Sequence, residues 1–314
     1  MGTVAAAGAN TQILFNDGGV IAGSANHVWD KTLNEIGLNG DVLFTAISEP
    51  AAPAATKIKL FAKTVATRVM LAVKSPAGVV YPLQPGLFSQ VIAMWQTQTG
   101  TTLGLFGMGS TNAGTLSHPA LANTNLLTAL RRVRFASSST AGSFAGARGV
   151  ERMVWRGNAA GLGGFYLGVR FAMTTNLANA RAFVGLYAST SALTNADPSG
   201  LLDIVGMSLD SADSNWQVIT NDNVSTATKT DLGASFVKST TTVYELRIYC
   251  APNGSDIFWQ VDNVSTGATS SGTFLNTNLP QNTVFLTPYV WITNNATASA
   301  AQIELNRLYL ESDV

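Results

Sequence analysis

Few groups in this chain are suited to chemistry. Two histidines occur in 314 residues. His27 lies in Ser-Ala-Asn-His-Val-Trp beside a turn, and His118 precedes Pro119 in a loop. A metal site needs further ligands at short spacing, and neither histidine has them. No Gly-x-Ser-x-Gly elbow marks a serine nucleophile. A glycosidase needs two carboxylates facing one cleft. Asp203, Asp210, Asp213, Asp222, Asp231, Glu245, Asp256 and Asp262 are available, but most fall in turn-like stretches that favour Asp for structural reasons. Asp210-Ser-Ala-Asp213 and Asn221-Asp-Asn223 are calcium candidates that fall short of a full ligand loop. The Gly-rich runs 100–114 and 157–164 lack the Gly-Lys-Ser/Thr of a phosphate loop and read as loops or close strand contacts. The expectation is no catalytic residue, no metal and no cofactor.

Binding chemistry is better represented. A sugar is held by an aromatic face beside amides and carboxylates, and Trp216 with Asn221, Asp222 and Asn223 offers that mixture. Trp259, with Asn253 nearby in sequence, offers it again. These residues are the candidate glycan site; the competing reading puts both tryptophans in the core, where Trp is most often found. Arg131-Arg-Val-Arg134, Arg148, Arg152 and Arg156 make the middle of the chain locally basic. They could seat an acidic glycan or a neighbouring protein, or they could form a solvated strand face with salt bridges between subunits.

Composition narrows the classes. Apolar residues make up 46% of the chain, enough for a sizeable core. Only 11% are charged, about half the usual share, so Thr, Ser and Asn must supply the polar surface. Eighteen basic residues balance eighteen acidic ones, which argues against a general nucleic-acid binder. A neutral, weakly charged surface favours self-association. The single Cys250 forms no intrachain disulfide, and alternation places it with Tyr244, Leu246 and Ile248 on one buried strand face. No stretch is apolar and long enough to span a bilayer, and the first residues lack the pattern of a signal peptide. The chain is therefore expected to be made in the cytoplasm without membrane insertion.

The elements that must position these residues are almost all strands. Gln12-Ile-Leu-Phe15, Asn16-Asp-Gly-Gly19 and Val20-Ile-Ala read as a hairpin, continued by Val28 to Leu38 and the Asn39-Gly40 turn. So short a segment has little core of its own and calls for partners. Ser48-Glu-Pro-Ala-Ala-Pro-Ala-Ala55 is a stiff spacer, followed by strands near 57–63 and 68–74 and a second proline joint at 81–86. Three regions follow: a docking and oligomer-starting segment 1–47, a linker and small β stem 48–87, and a large head 88–314. Within the head, alternation and turn signals give about ten strands, including 165–171, 181–187, 203–209, 215–220, 244–250, 256–262, 284–292 and 302–310. Only 121–133 has weak helical character. Many antiparallel strands without crossover helices predict an all-β chain with a β-sandwich of jelly-roll type.

Gly8-Ala-Asn-Thr-Gln-Ile-Leu-Phe-Asn-Asp-Gly-Gly19, with Ala22-Gly-Ser-Ala-Asn26 and Leu38-Asn-Gly40, resembles the N-terminal part of fibre proteins of tailed bacteriophages. Ser48 to Pro53, Lys59 to Lys63 and Leu83-Gln-Pro85 are similar to their linking region. Gly164 to Phe171, Phe183-Val-Gly-Leu186 and Ile303 to Leu310 resemble their concanavalin-like jelly-roll heads. The resemblance implies a homotrimeric tail or neck fibre on the virion. Gln12, Ile13, Leu14, Phe15 and Trp29 would dock it on other virion proteins, and its head would meet the host surface polysaccharide. A purely structural decoration protein and, less favoured, a polysaccharide depolymerase are the alternative readings.

Overall fold

The computed structural model describes residues 12–17, 20–30, 32–33, 35–83, 92–96, 105–106, 109–175, 177–192 and 194–312. Two compact units divide the chain: residues 1–63 with 71–81, and residues 64–70 with 82–314. The boundary expected at 87/88 lies outside the described residues.

In the smaller unit, strands Gln12–Asp17, Val20–Asp30 and Glu35–Leu38 form an antiparallel three-stranded sheet. All four residues of Glu35–Leu38 are exposed. Trp29, Leu33, Ile36, Leu38, Val42, Leu43, Phe44 and Ile47 are exposed as well, so this segment has no core of its own among the described residues. Glu49 ties the spacer down by accepting from Lys74 and pairing with Lys63. The Lys74 ammonium is the main cause holding the Glu49 carboxyl below its ordinary value.

The larger unit is a β-sandwich, as the alternating strands predict. One sheet runs Thr115–Ser117, Val133–Ala136, Gln302–Ser312, Phe165–Met173, Val243–Cys250, Asp256–Asn263 and Ala268–Leu275, with Ile92–Gln96 and Leu105–Phe106 joining it beside the 302–312 strand. The other runs Thr228–Asp231, Gln217–Asn221, Ile204–Leu209, Arg181–Tyr187, Thr287–Thr293, Phe144–Gly149 and Ser110–Ala113. Phe165, Leu167, Val169, Phe171 and Met173 from the first sheet and Ala182, Val184, Leu186, Val205 and Met207 from the second share one buried core. Period-two alternation places them there, since every second side chain faces the partner sheet. The last strand departs from strict alternation: Arg170 pairs with Arg307 but Phe171 with Leu305, so Asn306 is an extra, bulged residue. That bulge lets Leu305 and Leu308 both face inward. Between 121 and 133 the helix is confined to Leu126–Ala129, closed by an Asn125–Thr128 capping box.

Both outer faces carry further packing. On the 302–312 sheet, Arg170, Arg247 and Arg307 converge on the buried carboxylate of Glu245 at 2.5, 3.2 and 2.6 Å. Arg132 and Arg134 both pair with buried Glu304. Arg132 and Arg134 thus form their ion pairs within the chain. On the 287–293 sheet, Phe183, Ile204, Ile219, Tyr289 and Trp291 form a second cluster, with Leu201 from the 188–203 loop packed against it.

Candidate functional site

The proposed sugar platform falls in the core. Trp216 is 0% exposed and stacks edge-on against Phe171 at 5.2 Å, with Tyr244 beside it. Trp259 is 4% exposed and lies against Phe274. Alternation gives both residues inward positions, so neither ring face meets solvent. Asn221 is buried and donates to Leu201 O at 2.7 Å. Asp222 builds a turn, accepting from Val224 N, Ser225 N and Ser225 Oγ, and its carboxyl is held below the ordinary value chiefly by the Val224 bond. Asn223 is exposed, and Asn253 is a left-handed turn residue donating its N–H to Arg156 O and Leu162 O. Of the docking residues, Trp29 is exposed on the Val20–Asp30 strand. Gln12, Ile13, Leu14 and Phe15 belong to the Gln12–Asp17 strand, and their side chains lie outside the described residues.

The acids considered for catalysis or calcium are bound into the fold. Lys229 Nζ donates to Asp210 Oδ2 at 2.7 Å and to Asp213 Oδ2 at 2.5 Å. Burial alone would lower that ammonium's pKa, but the two carboxylates raise it. Glu245 and Asp262 pair with arginines, Asp231 caps Gly233 N, and Asp256 accepts from Asn276 N. Asp203 accepts from Gln281 N at 2.7 Å; burial, with the nearby Asp222 charge, pushes its carboxyl up. Among the described residues, no group of three or more His, Cys, Asp or Glu is placed to hold a metal ion.

A different aromatic surface emerges at residues far apart in sequence. Val154 and Leu286 form an isolated antiparallel bridge, and both are fully buried. Their neighbours across the bridge, Trp155 and Phe285, must then point away from the core. The two rings stack at 5.1 Å with an interplanar angle of 21°, and Phe285 is 43% exposed. Beside them opens a cleft of about 410 Å³ lined by Glu151, Arg152, Thr283, Val284 and Phe285. It is a surface depression, wide open to solvent rather than enclosed.

The supports of this surface are built locally. Arg156 Nη1 donates to Pro280 O at 3.0 Å and Nη2 to Gly254 O at 2.7 Å, stapling two loops behind Trp155. Gly157, at φ +87°, follows; a Cβ there would lie 1.8 Å from Leu162 O, so the close approach needs glycine. The 157–164 run is thus a close-contact loop, in agreement with the sequence expectation. On the other flank, Arg152 Nη1 donates to Ala188 O at 3.0 Å and Arg148 Nε to Thr190 O at 2.7 Å. Tyr289 Oη donates to Ser191 O at 2.7 Å. Burial pushes the Tyr289 phenol up to about 12, opposed by Arg148, so this donor keeps its proton at neutral pH.

Sequence reading missed Trp155 and Phe285 as a pair because 130 positions separate them. A usable signal did exist. Alternation through the expected 284–292 strand puts Phe285, Tyr289 and Trp291 on one face, opposite Leu286 and Val290.

No family model matches the chain, and no curated protein matches it. Solved structures with a similar arrangement include peanut lectin with a nine-residue peptide, at 12% identity, covering 71% of this chain and 97% of that one with a TM-score of 0.46. Lectin I from Ulex europaeus, in complex with the methyl glycoside of α-L-fucose, shows 13% identity, coverages of 71% and 98%, and a TM-score of 0.45. A protein of unknown function from Shewanella oneidensis MR-1 shows 13% identity, coverages of 73% and 96%, and a TM-score of 0.47. Similarity this distant carries no argument about binding, and the sandwich assignment rests on the strands and registers above.

Proposed function

We propose that the chain is a non-enzymatic virion fibre protein, homotrimeric, whose β-sandwich attaches to host-surface glycan. The observation that carries the reading is the exposed Phe285 ring, stacked on the half-buried Trp155 beside a polar cleft. The C–H face of a pyranose packs on such a ring, while Glu151, Arg152 and Thr283 supply donors and acceptors for hydroxyls. The fibre part of the reading is supported by the N-terminal resemblance. Self-assembly is supported by the exposed apolar side chains from Trp29 to Ile47, which suit burial against other copies. The engagement of the acidic residues in ion pairs and turns favours binding over polymer cleavage.

The test uses the labelled full chain with bacterial cells and their purified surface polysaccharide, measuring both binding and polymer length. The expected result is saturable binding without shortening, weakened about tenfold or more by Phe285→Ala, a loss of about 1.4 kcal/mol or more. Equal binding by the variant would remove the cleft from the reading. Absence of any binding would leave a purely structural decoration, and shortened polymer would make the protein a depolymerase.

A further inference from the structure

The arginines of the basic middle segment divide into two groups by their partners. Arg132 and Arg134 are neutralised by Glu304, and Arg156 gives its two terminal nitrogens to three loop carbonyls. Arg148 and Arg152 differ. Each gives one N–H to a carbonyl of the 188–190 stretch, and neither has a carboxylate at ion-pair distance among the described residues. The bond from Arg148 uses Nε and the bond from Arg152 uses Nη1, so each guanidinium keeps further N–H groups for a ligand. Their carbonyl anchors are two residues apart, about 7 Å at most along the chain, so Arg148 flanks the cleft from an adjoining depression that it lines with Tyr289 and Trp291. Arg152 is exposed and lines the cleft with Phe285.

We infer that this site selects an acidic sugar, a pyranose bearing a carboxylate such as a uronic or sialic acid; the inference rests on the proposed sugar-binding reading. The pyranose face lies on Phe285 and the carboxylate is met by the Arg152 fork, with Arg148 adding a second positive charge. Planar guanidinium donors match a carboxylate bidentately, which a hydroxyl cannot reproduce. Glu151 lies on the same cleft as Arg152 and is suited to accept ring hydroxyls; the positive excess comes from Arg148 on the adjoining surface. Holding the arginines on main-chain carbonyls fixes them without cancelling their charge, unlike the arrangement around Glu245 or Glu304.

The test is saturation-transfer NMR on the full chain with sodium glucuronate, galacturonate and N-acetylneuraminate against glucose and galactose, all at millimolar concentration. The expected result is a preference of about tenfold for at least one acidic sugar over its neutral counterpart. Arg148→Gln with Arg152→Gln should bring that ratio to about one, the acidic sugar losing about tenfold more than the neutral one, and Arg152→Lys should restore part of the difference. Phe285→Ala should weaken acidic and neutral sugars together. Equal binding of acidic and neutral sugars would overturn the acidic selectivity and leave the glycan site standing. No binding of any sugar would overturn both.

Discussion

At the scale of single residues, the chain shows how little residue type reveals about place. Trp216 and Trp259 have the chemistry of a sugar platform and are core; Trp155 and Phe285 lie at the surface. What separates them is which strand face they occupy, and for Trp155 that is decided by a bridge to a segment distant in sequence. Cys250, by contrast, was placed correctly from alternation alone and is buried. The Glu245 cluster is the strongest residue-level prediction. Burial raises the Glu245 pKa, but Arg247, Arg307 and Arg170 together hold it below the ordinary carboxylate value. Its contribution is therefore full above the unfolded value of about 4.3 and is lost as pH falls through the lower folded value. Glu245→Gln should cost about 3 kcal/mol at pH 7, because it leaves three arginines without their shared anion. The gap between the urea midpoints of wild type and variant should narrow as pH falls from 7 to 3.

At the scale of elements, the strands were legible wherever alternation was regular. The hairpin between 244–250 and 256–262 is an example: Tyr249 pairs with Phe258, and the turn holds Asn253 at φ 53°. The 302–312 strand was legible as a strand, but its bulge at Asn306 was not, since one extra residue leaves no compositional mark. Nor was the outer packing of the 287–293 sheet legible. Gly185 and Gly206 face each other across two of its strands with the Phe183 ring close above both. A Cβ on Gly206 would lie 2.4 Å from Val184 O and 2.8 Å from Gly185 Cα, backbone atoms that cannot swing aside. Gly206→Ala should therefore destabilise by about 1–3 kcal/mol. Gly200→Ala, where a Cβ meets nothing within 4 Å, should leave the melting temperature nearly unchanged. Thermal denaturation of the two variants side by side checks the argument.

At the scale of the whole molecule, a neutral chain that carries Leu33, Leu43 and Ile47 in the open is suited to association. Native mass measurement at micromolar concentration should give three copies per particle; a clean monomer would remove the assembly reading. The Lys229 contact bears on how such a particle would endure its surroundings. Asp210 and Asp213 form a pair of anions whose repulsion something must neutralise, and a covalently attached ammonium does so. A tethered charge has no dissociation constant. Dilution cannot wash it out and a chelator cannot extract it, so this corner of the fold needs no bound metal ion from its surroundings to hold the two carboxylates together.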